Sequence, residues 1–257
     1  MTTGAVRLSI EGPVATVLFD RPAARNAMTW DMYQQLAAIC ERLPTESGVR
    51  VVCLRGAGGE AFVAGTDIEQ FKTFDAERGV EYERTIDAGM AQLEALPLPT
   101  VAVIEGWCVG GGLAIATACD LRIGTSTARL GVPIARTLGN CLSATNIARL
   151  VAAFGRSRVQ RMLIGAEVLR ADEALACGYL TEVVAPEAMN AAAEALLQRV
   201  AGLAPVTQAV SKEALRRLLQ QNLPDVEDLI KRTYGSADFR EGVTAFTEKR
   251  SPVWRGR

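Results

Sequence analysis

The sequence predicts an α/β fold with parallel strands and an almost wholly helical C-terminal quarter, on three observations. Two apolar runs, Val51-Val52-Cys53-Leu54 and Val101-Ala102-Val103-Ile104, read as buried strands. Each leads into a glycine-rich turn and then a helical pattern, and strand–turn–helix units at this spacing fold as right-handed crossovers. From Pro186 onward the pattern is helical, which ends the alternation.

At the start of the chain, residues 6–10 and 14–19 are apolar or alternating around Glu11-Gly12-Pro13 and read as an opening hairpin. Thr29 is placed to cap an amphipathic helix that ends before Pro44, with Met32, Leu36, Ile39 and Leu43 on one face. The run at 51–54 is the next strand. The polar stretch 69–96 predicts two helices, closed by Pro97 and Pro99. After the strand 101–104 comes a helix over 112–118 and a short strand from Leu121 to Ile123. Pro205 and Pro224 are expected to start helices. No linker or low-complexity tract divides the chain, so the expected organisation is an α/β core over 1–200 and a helical region over 201–257, either a separate domain or an oligomerisation cap.

Composition narrows the function. The 257 residues are 49% hydrophobic and carry 28 basic against 29 acidic side chains, a net charge of −1. This balance disfavours nucleic acid and membrane surfaces as partners, so an anionic ligand must meet local cations. No leader or membrane-length apolar run stands out, and a soluble, cytoplasmic protein is expected. The six cysteines are scattered without a C-x-x-C pair, which fits buried thiols and no metal site. There is no histidine. That absence removes histidine-based triads, metal motifs and general bases, and leaves acid/base work to carboxylates, Tyr, Lys, Cys or water.

The chemistry lies in the two turns, Phe62-Val63-Ala64-Gly65-Thr66-Asp67 and Gly106-Trp107-Cys108-Val109-Gly110-Gly111-Gly112. Either alone is an ordinary tight turn, with Asp67 capping the next helix and the glycines permitting a close crossing. Together they can aim free backbone N–H groups at one point, where an oxygen that becomes negative would be held. The stretch Gly56-Ala57-Gly58-Gly59-Glu60-Ala61 matches G-x-G-x-x-A, but Phe62-Val63-Ala64-Gly65 stands where the helix of a dinucleotide site must start, so a dehydrogenase is not expected.

With Asn26-Ala27 upstream, this order of turns resembles the crotonase superfamily, the enoyl-CoA hydratase/isomerase fold. Asp20-Arg21-Pro22-Ala23-Ala24-Arg25-Asn26-Ala27 is similar to the family's early coenzyme A loop, and Phe246-Thr247-Glu248-Lys249-Arg250-Ser251-Pro252 to its C-terminal signature. The resemblance implies a ClpP/crotonase-like spiral of ββα units, a C-terminal helical region that packs trimers or hexamers, and a place in fatty acid metabolism. It further implies an acyl-CoA thioester as substrate with no separate cofactor, and an oxyanion hole from the N–H groups of Thr66 and Gly111. Residues implied to contact the substrate are Arg25, Ala27, Ala64, Gly65, Asp67, Ile68, Trp107, Gly110, Ala114, Pro133, Ile134 and Lys249.

The chain departs from the pattern at two positions. Family hydratases carry one glutamate two residues after the triple glycine and a second in Gly-x-Pro-Glu; here these are Ala114 and, in Gly131-Val132-Pro133-Ile134, Ile134. Ordinary water addition is therefore expected to be impaired, since such groups contribute about 10²–10⁴-fold each. Substitutes are sought in the loop 136–143, where Asn140 is a candidate catalytic group, Arg136 a carboxylate partner and Cys141 an acid, with Ser143 and Asn140 otherwise serving the loop itself. Glu69, Glu81 and Asp87 fall in the region expected to cover the acyl end. The expected function is an acyl-CoA enzyme of the enoyl-CoA hydratase/isomerase kind, a lyase stabilising a thioester enolate. The alternatives are an acyl-CoA decarboxylase, another reaction of the family, or a silent acyl-CoA binder.

Overall fold

The opening hairpin forms from β1 (Ala5–Glu11) and β2 (Val14–Asp20), paired antiparallel with Ala5 opposite Asp20, in a computed structural model that describes residues 4–256. Thr29 caps α1 (Trp30–Arg42) by accepting the Met32 N–H at 3.2 Å, and Met32, Leu36 and Ile39 turn inward one helical turn apart. Next come β3 (Val51–Gly56), β4 (Ala61–Ala64) and α2 (Ala76–Glu94). A second unit repeats the pattern with β5 (Thr100–Ile104), β6 (Trp107–Val109) and α3 (Gly111–Ala118). The third opens with β7 (Leu121–Thr125) and β8 (Arg129–Gly131).

Each glycine-rich segment thus contains a short strand of its own. These strands build a second sheet in the order β4-β6-β8-β9, with β9 at Val168–Arg170. The first sheet runs β1-β2-β3-β5-β7-β10, parallel beyond the hairpin, with β10 at Glu182–Val184. Between β8 and β10 lie α4 (Ile134–Thr137), α5 (Ala144–Phe154), α6 (Arg156–Leu163) and α7 (Ala171–Ala176).

The apolar runs are apolar at every position because both their faces are covered. Val52, Leu54, Ala102 and Ile104 enter the main core, while Val51, Cys53, Val101 and Val103 face α8 (Met189–Ala201) through Met189, Ala193, Leu196 and Val200. Beyond α8, the helix α9 (Pro205–Leu219) leaves Val206, Val210, Leu215 and Leu218 exposed. Then α10 (Glu227–Tyr234) and α11 (Ala237–Thr247) return to the core, where the Tyr234 ring packs on α2 at Gly79. A Cβ on Gly79 would stand 2.2 Å from Tyr234 Cγ, so only glycine admits the ring.

Two expected boundaries change. The stretch 69–96 holds one long helix rather than two, preceded by a 3-10 turn at Ile68–Phe71, because Asp75 accepts the Arg78 N–H and starts α2 afresh. Pro224 does not open a helix either. The Asp225 carboxylate accepts the Glu227 N–H at 2.9 Å, and α10 begins there.

Candidate active site

The two glycine turns meet. Gly65 (φ +95°) and Gly110 (φ +54°) take backbone conformations that side chains rarely adopt, and a Cβ on Gly110 would lie 3.5 Å from Gly65 Cα. On one side Met28 donates its N–H to Gly65 O at 2.9 Å and accepts from Asp67 N–H at 2.8 Å, which brackets Thr66. On the other, Gly111 is the first residue of α3, so its N–H has no partner within the helix. Among the described residues neither the Thr66 nor the Gly111 N–H is taken, and both residues line one cavity of about 680 Å³. Two open N–H donors, one of them at a helix start, suit an oxygen that gains negative charge. The third glycine has a separate duty: a Cβ on Gly112 would meet Val63 O at 2.0 Å, so α3 can cross β4 only without a side chain.

Asn26 fastens the first turn from below. Fully buried, it donates to Ala57 O and Ala61 O and accepts the Arg21 N–H. Arg21 in turn pairs with Asp67 at 2.8 Å, so this cation is committed within the protein. Arg25, held at φ +49°, remains exposed on the cavity rim. Ala27, Ala64, Gly65, Asp67, Ile68, Gly110, Ala114, Pro133, Ile134 and Asn140 all line the cavity with Thr66 and Gly111. Trp107 and Lys249 do not. Trp107 begins β6, a strand's length from Gly110, and Lys249 lies beyond the end of α11, where Phe246 is the residue that reaches the lining. Arg250 is occupied by Glu241 and Glu248.

Of the substitutes sought in the loop, Arg136 is exposed and outside the lining. Burial, and then the nearby Glu83 charge, pushes the Cys141 thiol up to about 12, so it is a poor acid at neutral pH. Ser143 caps α5 by accepting the Asn146 N–H and donates to Asp87. Asn140 lines the cavity, donates weakly to the Tyr234 hydroxyl at 3.5 Å, and leaves a buried Oδ1 without a partner among the described residues.

Besides Asp67, which is paired to Arg21, the carboxyl that lines the cavity among the described residues is Glu83. It is 2% exposed, on the inner face of α2, whereas Glu69 and Glu81 are exposed and Asp87 is tied to Ser143 and Arg149. The Tyr234 hydroxyl donates to Glu83 Oε1 at 2.7 Å and the Ser143 N–H to Oε2 at 3.0 Å. Burial pushes its pKa up to about 7, against the pull of these two donors, with the Asp87 charge adding to the rise. Tyr33, Thr66 and Tyr82 form a further chain, with Tyr33 Oη to Thr66 Oγ1 at 2.8 Å and Thr66 Oγ1 to Tyr82 Oη at 3.2 Å. Burial raises both phenols, Tyr33 to about 12. They are neutral donors. The available sequence signal for Glu83 was its place one helical turn from Val80 and Ile86 on the buried face of α2, where a charge has no cause to be. Among the described residues no cluster of His, Cys, Asp and Glu suits a metal ion.

The family model for enoyl-CoA hydratase/isomerase matches residues 9–257. The chain belongs to this family. It is 32% identical to the short-chain-enoyl-CoA hydratase of Clostridium acetobutylicum over 97% of each chain. Among solved structures, an enoyl-CoA hydratase/carnithine racemase from Magnetospirillum magneticum superposes with a TM-score of 0.81 at 32% identity, covering 100% of this chain and 97% of the other. A methylmalonyl-CoA decarboxylase complexed with 2S-carboxypropyl CoA superposes with a TM-score of 0.89 at 26% identity over 100% of both chains. The crotonase fold is therefore shown for this chain, whose cavity is lined by Thr66 and Gly111 together with Ala114 and Ile134.

Proposed function

We propose that the protein is an enzyme acting on acyl-CoA thioesters, a lyase of the hydratase/isomerase kind that holds the thioester oxygen between the N–H groups of Thr66 and Gly111 as an enolate forms. The observation that carries this reading is the meeting of the two glycine turns with both N–H groups open to one cavity. The exposed Arg25 at the rim suits a phosphate of coenzyme A. Soluble, cytoplasmic action as a homotrimer or a hexamer belongs to the same proposal, with the apolar face of α9 as the surface a second copy would cover. No described helix is long and apolar enough to cross a membrane.

Decarboxylation is the second reading. It is favoured by the apolar wall of Ala114, Val132, Ile134 and Leu142 beside the open donors, since loss of CO₂ needs electron withdrawal more than a base, and by the likeness to a methylmalonyl-CoA decarboxylase. Titration calorimetry with butyryl-CoA and with NAD tests the common part of both readings: the thioester binds and NAD does not. NAD binding without thioester binding would overturn it. Gly111→Val sets a side chain against Tyr33 Oη, which a Cβ alone approaches to 2.5 Å, and costs about 10²–10³-fold in turnover.

A further inference from the structure

We infer that Glu83 is the acid/base residue of this site, its carboxylate removing and returning a proton on the carbon beside the thioester carbonyl. The inference rests on the acyl-CoA reading above. Its first support is elimination among the described residues. The ionisable side chains that line the cavity are Arg21, Arg25, Asp67, Tyr82 and Glu83. The arginines are always charged, and Asp67 is paired to Arg21 while also accepting the Glu69 N–H. Tyr82 is held protonated by burial. Glu83 is what remains.

The second support is its setting. Tyr234 on α10 and the Ser143 N–H at the start of α5 fix both oxygens, leaving one lone pair on each. Such a carboxylate is oriented without being neutralised, because among the described residues its hydrogen-bond donors are neutral. The ionisable groups facing it are Asp87 on the same helix, Tyr234, Cys141 in the loop, and Tyr33 and Tyr82, whose hydroxyls flank Thr66. Arg149, the cation that pairs with Asp87, is spent on Glu94, Asp87 and Asn146. Burial has therefore set this group near neutrality, where a residue can both take and give a proton.

The step balances within the site. One Glu83 oxygen takes the α-proton, the C–H pair becomes the Cα=C bond, and the carbonyl pair moves to the oxygen held by Thr66 and Gly111. Return of the proton reverses the sequence. In D₂O the carboxyl exchanges before return, and the thioester leaves with deuterium at Cα.

The test follows that exchange by proton NMR of butyryl-CoA with the full chain, alongside calorimetric binding. Wild type is expected to exchange the Cα protons at a rate that rises with pH through about 7 and then levels. Glu83→Gln is expected to bind butyryl-CoA as wild type does and exchange it slower by about 10²-fold or more, with no rise near pH 7. Tyr234→Phe removes a donor to the ionised form, so it moves the midpoint upward and keeps the limb, which a merely structural role would not do. Exchange by Glu83→Gln at the wild-type rate, or butyryl-CoA bound by wild type with no exchange, overturns the assignment of Glu83 alone. Absence of binding by wild type overturns the acyl-CoA reading and this inference together.

Discussion

Two sets of groups furnish the cavity, and they are made of different material. One set is the open backbone N–H groups of Thr66 and Gly111, supplied by two short segments whose glycines force the turns to touch. The other is side chains, Glu83 and Asn140 in the lining with Tyr234 behind them, brought together from α2, the loop before α5, and α10, with 151 positions separating Glu83 from Tyr234. A backbone site depends on conformation, which a local run of glycines dictates. A side-chain site depends on tertiary packing, and it can be re-furnished while the backbone stays. That is how the two glycine turns can meet here while the wall beside them is apolar, with Ala114 and Ile134 in it.

Breaking the backbone set should cost the most. Gly112→Ala places a Cβ 2.0 Å from Val63 O, a backbone atom of β4 that cannot rotate away. The expected loss is roughly 3 kcal/mol or more of folding stability, read as a fall in Tm or failure to express as soluble protein. A variant as stable as wild type would show that the two turns do not need this crossing.

The side-chain set should respond to pH instead. Glu83 has its folded pKa raised from 4.5 to about 7, so the contribution of this group to stability is full below about 4.5 and is lost as pH rises through 7. Glu83→Gln removes that dependence. The variant should therefore gain on wild type between pH 5 and 8, by on the order of 1–3 kcal/mol, in thermal scans across that window. A constant difference at every pH would mean the carboxyl is not desolvated.

The smallest effect is expected at Cys141. Its thiol is held protonated and it lies outside the cavity lining, so Cys141→Ser should leave turnover of any acyl-CoA within about twofold. A loss of 10²-fold would return this residue to the acid's role.

This contrast also sets what the sequence could tell. The hairpin, the Thr29 cap, the two buried strands and the helix after the triple glycine are written in periods of two and 3.6 and in caps, and they were legible. The strands β4, β6 and β8 were not, because three or four residues carry too little period to separate them from a turn. Around the cavity, the meeting of the two turns followed from two local motifs. Glu83 did not: the stretch 69–96 is rich in carboxylates, and choosing among them required knowing that Tyr234 would dock on Gly79 and Ser143 would present its N–H. The pairing of Arg21 lay equally out of reach, since its partner Asp67 is 46 positions away.

The notch at Gly79 gives this enzyme an adjustable screw outside its reaction chamber. The residue lies one helical turn before Glu83 and does not line the cavity, yet the phenol that steadies the carboxylate can seat only while position 79 is bare. Acidity at the heart of the site is thus tied to the smallest side chain on the far side of a tyrosine ring. An engineer wishing to retune the proton-transfer group, and leave every surface that touches the substrate as it is, would begin there.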